Sequence, residues 1–96
     1  MSFFGDAPVA LRRAVSGRER IVIRLARSND GRDLARLAEL ADRPAPPSPL
    51  LLAEADGSLI AAVSTRTGEA IRDPFVASDD VVALLRLRAT QLDAAA

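Results

Sequence analysis

The stretch "LLLAEADGSLIAAVSTRTGEAIRDPF", Leu50 to Phe75, decides the fold. Two apolar runs flank Asp56-Gly57, a dipeptide favoured in tight hairpin turns because both positions tolerate positive φ. Leu50-Leu51-Leu52 and the run Leu59 to Val63 are apolar on both faces. Strands of that kind sit centrally in a sheet covered on both sides. A second turn, Arg66 to Glu69 with Gly68 inside it, starts another strand from Ala70 to about Arg72. One helix covers one face. The last helix, or a second subunit, must cover the other.

Upstream, "RIVIRLAR" (Arg20 to Arg27) alternates as a strand, with Ile21, Ile23 and Leu25 on one face and Val22, Arg24 and Ala26 on the other. Ser28, Asn29 and Asp30 are all residues that cap helices. Leu34, Leu37, Ala38 and Ala41 then form one apolar stripe of a helix that runs to about Asp42. Asp30 and Asp33 near its start and Arg43 at its end complement the helix dipole. "RPAPPSP" (Arg43 to Pro49) stops that helix. Extended at about 3.1 Å per residue, it covers about 20 Å, the length of a helix of roughly 13 residues. The chain therefore returns, and the first two strands are expected as antiparallel neighbours.

Downstream, Arg72-Asp73-Pro74-Phe75 suits either a ligand-facing corner or a plain strand terminus, with Pro74 fixing the exit and Phe75 in the core. Ser78 is read as the cap of the last helix, with Asp79 and Asp80 in its first turn. Val82, Leu85, Ala89 and Leu92 form its stripe, Val81, Leu84 and Arg88 lie alongside, and Leu87 falls outside both. An arc that wide suits packing on a sheet plus one further contact.

The 96 residues suit one domain. Residues 1–18 read as a separate arm, flexible or with a short helix from Pro8 through Val15; residues 19–92 form the domain; 93–96 form a frayed tail. The arm is basic, with Arg12 and Arg13, and suits either a loose terminus or added turn packed on the fold, or a contact with an acidic surface or an anionic membrane. Lys plus Arg and Asp plus Glu each number 13, so the formal net charge is zero, unlike that of a general nucleic-acid binder. Cys and His are absent. Disulfides, thiolate nucleophiles and the commonest metal ligands go with them. No apolar run approaches the roughly 20 residues that span a bilayer. The chain reads as a cytoplasmic protein that binds neither metal nor nucleic acid.

The order strand, helix, strand, strand, strand, helix resembles the N-terminal half of a GNAT-type N-acetyltransferase. "IVIRLARSNDGRDLARLAEL" looks like that family's opening strand and helix, and "LLLAEADGSLIAAVS" like its central hairpin. The likeness covers Arg20 to Leu92, about half of a family member. It implies an α+β fold, with an antiparallel sheet of about four strands (β-α-β-β-β-α) and two main helices. The family's Q/R-x-x-G-x-G/A turn holds the acetyl-coenzyme A pyrophosphate on backbone amides at a helix start. The equivalent stretch here, "RDPFVASDDVVALLRLR", has no glycine and puts Asp79 and Asp80 where phosphate charge would lie. The strands and helix that follow in the family are absent.

The expectation is a non-catalytic, acetyltransferase-like small domain that acts by protein association, above all with itself, and uses no cofactor. Arg12, Arg13, Ile71, Phe75, Arg86 and Leu87 are the candidate partner contacts. The alternatives are an acyl-CoA-dependent transferase completed by a second chain, holding acetyl-CoA at Ser78, Asp79 and Asp80, or an accessory subunit of a larger complex. Glu54 and Glu69 are candidate general bases in the enzyme reading, and solvated turn-side glutamates otherwise.

Overall fold

The Asp56-Gly57 turn closes with φ of 51° and 84° at its two residues, both left-handed, as a twisted two-residue hairpin requires. This computed structural model describes residues 13–14 and 20–95, with side chains described for 20–92. The elements in chain order are β1 (Arg13–Ala14), β2 (Ile21–Leu25), α1 (Gly31–Ala41), β3 (Leu50–Ala55), β4 (Ser58–Ser64), β5 (Ala70–Arg72), β6 (Val76–Ala77) and α2 (Asp79–Ala95). The fold is α+β. Strands β2-β3-β4-β5 form one antiparallel sheet in sequence order, and β1 pairs in parallel with β6. The Pro-rich segment makes the expected return: β2 and β3 are antiparallel neighbours, with Arg24 opposite Leu52.

Apolarity on both faces of β3 and β4 makes the sheet the middle of the molecule. One core holds Leu50, Leu52, Leu59, Ala62 and Ile71 against Leu37 of α1. The other holds Leu51, Ala53, Ile60, Ala61 and Val63 against Val81, Val82, Leu85 and Ala89 of α2. The last helix thus supplies the second cover. A bulge between Ala53 and Glu54 in the β3–β4 register leaves Ile60 as an extra residue. Ile60 and Ala61 therefore both join the α2 side, which strict alternation forbids. Each large side chain buried this way contributes about 1.5–3 kcal/mol.

Several local expectations are corrected. Phe75 is not in the core: it is 55% exposed. The Asp73 carboxylate accepts the Phe75 N–H at 2.8 Å, a turn that swings the ring outward and gives the core position to Val76. Ser78 is fully buried, yet its Oγ has no hydrogen-bond partner. Its carbonyl, not its hydroxyl, enters α2, by accepting the Val82 N–H at 2.9 Å. Ser28, Asn29 and Asp30 form a 3-10 turn, and no side chain caps α1. Arg13 and Ala14 are extended and lie in a strand, not in a helix reaching Val15, because they pair with Val76 and Ala77. Leu92, placed on the buried stripe, is 44% exposed. α2 runs to Ala95, into the stretch read as a tail. Arg12 and the rest of the arm lie outside the described residues.

Candidate functional site

β5 is an edge strand, and its pairing with β4 fixes which of its groups are free. Ser64 N–H donates to Glu69 O, and Asp73 N–H donates to Ile60 O. Ile71 stands opposite Ala62 in the same register. In an antiparallel ladder, inward and outward residues alternate. Ala70 and Arg72 therefore point their N–H and C=O groups away from the sheet. Among the described residues, neither has a partner on that side.

The two helices turn this edge into a cleft of about 660 Å³. Ala41 and Arg43, at the end of α1, form one wall; Asp79, Val82, Ala83 and Arg86 of α2 form the other. Ala70, Ile71, Arg72 and Pro74 make the floor. Arg72 reaches across to pair with Asp79. Arg86 Nε donates to the Gly68 carbonyl at 3.2 Å, which holds its guanidinium over the turn that leads into β5. Gly68 has a φ of 78° there, a conformation that favours glycine.

Of the residues singled out from sequence, the cleft gathers Asp79 and Arg86, with Arg72 and Pro74 of the candidate corner. Ile71 is only 3% exposed: its side chain faces the α1 core, so it is a floor residue and no contact on its own. Phe75 and Leu87 are exposed but do not line the cleft. Asp80 is exposed on α2. Arg43 was not singled out, although it lines the cleft. It does not stand out along the chain, since it follows a helix and meets the strand end at Arg72 only in three dimensions.

A second polar cluster lies at the opposite edge of the sheet, on its α1 face. Arg24 donates to Asp30 Oδ1 at 2.7 Å and Oδ2 at 2.8 Å, and to Glu54 Oε2 at 2.8 Å. Asp30 also accepts the Arg27 N–H at 2.6 Å. Hydrogen bonding from Arg24, then from the Arg27 amide, holds the buried Asp30 carboxyl well below the usual carboxylate range. The same bonds raise the Arg24 guanidinium. Glu54 is therefore an ion-pair partner, not a free turn-side base. Glu69 accepts from Thr67 Oγ1 at 3.2 Å beside its turn. This cluster pins the start of α1 to β2 and β3, and it gives both Asp30 oxygens and Glu54 Oε2 a donor.

Among the described residues, no group of three or more His, Cys, Asp or Glu is arranged to hold a metal ion, and no helix is long and apolar enough to cross a membrane. No protein-family model, no curated protein and no solved structure matches the chain.

A carboxylate lowered by folding stabilises the fold fully above its unfolded pKa, about 4. That contribution is lost as pH falls through the lower folded value. Urea unfolding of the wild type therefore loses stability steadily below about pH 4. Asp30→Asn is less stable at pH 7 and declines less steeply in acid. Parallel pH profiles for the two proteins contradict the assignment.

Proposed function

We propose that the chain is a non-catalytic, acetyltransferase-like small domain that works by protein association, in the first instance with a second copy of itself. Its support begins with the order of the four-stranded sheet and its two helices, β2-α1-β3-β4-β5-α2, to which the β1–β6 pair is an addition, and with the acidic, glycine-free start of α2. One observation carries the self-association. On the outer arc of α2, Leu84 and Leu87 are 41% and 55% exposed, after Val81, Val82, Leu85 and Ala89 have been used against the sheet. Asp80 lies four residues before Leu84 and Arg88 four residues after it, both exposed. Residues spaced by four share a helix face.

That line is its own complement. If two α2 helices cross antiparallel about a two-fold axis near Leu84, the leucines meet at the centre. Asp80 of each copy then faces Arg88 of the other. A two-fold interface needs this property, because each surface must fit itself. Arg86 points instead to the β5 cleft and Phe75 to the turn before α2, so neither enters this contact.

Sedimentation equilibrium tests the pairing. The wild type is expected to dimerise reversibly. Asp80→Arg or Arg88→Asp alone weakens the dimer by about tenfold or more, in the range of close charge pairs at interfaces. The double exchange restores most of it. A chain that is monomeric throughout, or a double exchange no better than either single one, contradicts the reading.

The same proposal predicts no use of an acyl-CoA. Titration calorimetry with coenzyme A should show no binding tighter than about 100 µM, roughly −5.5 kcal/mol. Tighter binding favours the transferase completed by a second chain.

A further inference from the structure

We infer that the cleft along β5 binds an extended acidic segment of a partner protein, added as a new strand to the sheet, with its carboxylates seated on Arg43 and Arg86. This surface is separate from the outer arc of α2. The inference extends the association reading, but each can fail without the other.

The edge sets the mode of binding. Ala70 and Arg72 present outward N–H and C=O groups at the bottom of a cleft walled on both sides. An extended chain laid along such an edge gains main-chain hydrogen bonds, and its alternate side chains enter whatever lies above and below. The sheet's other edge is less available. Along β2, the Arg24 side chain that is clamped by Asp30 and Glu54 also approaches the Leu25 carbonyl. A charged side chain on an edge strand discourages addition.

The charge of the walls sets the chemistry of the occupant. Arg43, Arg72 and Arg86 line the cleft against the single carboxylate of Asp79. Arg72 is already engaged with Asp79. Among the described residues, Arg43 and Arg86 have no carboxylate partner. They also stand on opposite sides of the sheet, one with α1 and one with α2. Successive side chains of a strand point to opposite faces. Two consecutive acidic residues in an added strand therefore reach Arg43 with one and Arg86 with the other.

The same charge disfavours the occupants that this chain itself offers. Pairing β5 with β5 of a second copy brings both sets of arginines into one place, and like charges facing each other across an interface cost several kcal/mol. The N-terminal arm carries Arg12, Arg13 and Arg18 against Asp6, and so is also net basic.

Fluorescence anisotropy on the full chain tests this with three labelled peptides, TVEEVTV, TVQQVTV and TVKKVTV. The glutamate peptide is expected to bind at least about tenfold more tightly than the glutamine one, and to weaken as salt rises. Arg43→Gln with Arg86→Gln removes that preference. Ala70→Pro deletes an outward N–H that plays no part in the β4–β5 ladder, so binding falls while the thermal unfolding curve stays cooperative. Should that variant fail to fold, backbone N-methylation of the glutamate peptide asks the same question of the intact protein, and binding must again be lost. Equal binding of the three peptides, no binding of any up to about 1 mM (roughly −4 kcal/mol), or full binding by the N-methylated peptide overturns the inference. Loss of a wild-type dimer in Ala70→Pro overturns it in favour of a second copy at this edge.

Discussion

Double-sided burial of the β3–β4 hairpin is the constraint on which everything else depends. Leu52, Ala53, Ala61, Ala62 and Val63 have no exposed surface, and they point in both directions from one sheet. A single helix leaves half of them in water, at about 25 cal/mol for each Å² of apolar surface. The chain answers with α1 before the hairpin and α2 after it. The Pro-rich segment and the paired turns are the connections that this arrangement demands. The bulge sends Ile60 to the α2 core beside Ala61 and Val63, and leaves Leu59 to the α1 core.

Covering both faces has a consequence at the margin. A four-stranded sheet has two edges, and helices packed on opposite faces stand on either side of the edge they reach. At β5 they enclose a slot whose floor is unpaired backbone and whose walls carry more arginine than aspartate. The same helices set the chemistry at the front of α2. Ser78 is buried without a partner, and Asp79 is drawn to Arg72. The acids there complement the helix dipole themselves, and an anionic ligand would have to displace that arrangement.

Much of this was legible in the chain. Asp56-Gly57 between two fully apolar runs specified the hairpin and its central place, and the return through Arg43 to Pro49 specified antiparallel β2 and β3. These signals are local or follow from length alone. What could not be read depends on tertiary placement. Arg24 and Glu54 share a face only once the β2–β3 register is known, and they are separated by 30 positions. Phe75 looked like core because it is aromatic and follows a strand; the Asp73 turn, two residues away, decided otherwise. Ser78 stood at a capping position, yet burial rather than capping describes its hydroxyl. In the cleft, Asp79, Arg86 and the corner that begins at Arg72 were visible as candidates. Arg43 was not, because it has an ordinary local role after a helix and gains its neighbours only through the sheet edge.

Residue-resolved hydrogen exchange of the isolated chain, at a concentration where it is monomeric, tests the open edge most directly. Amides held in the β4–β5 ladder, those of Ser64, Ile71 and Asp73, are predicted to exchange slowly, while those of Ala70 and Arg72 exchange near the rate of an unfolded chain. Strong protection at Ala70 and Arg72 in the free protein would show that their outer side is already paired, and would contradict the account.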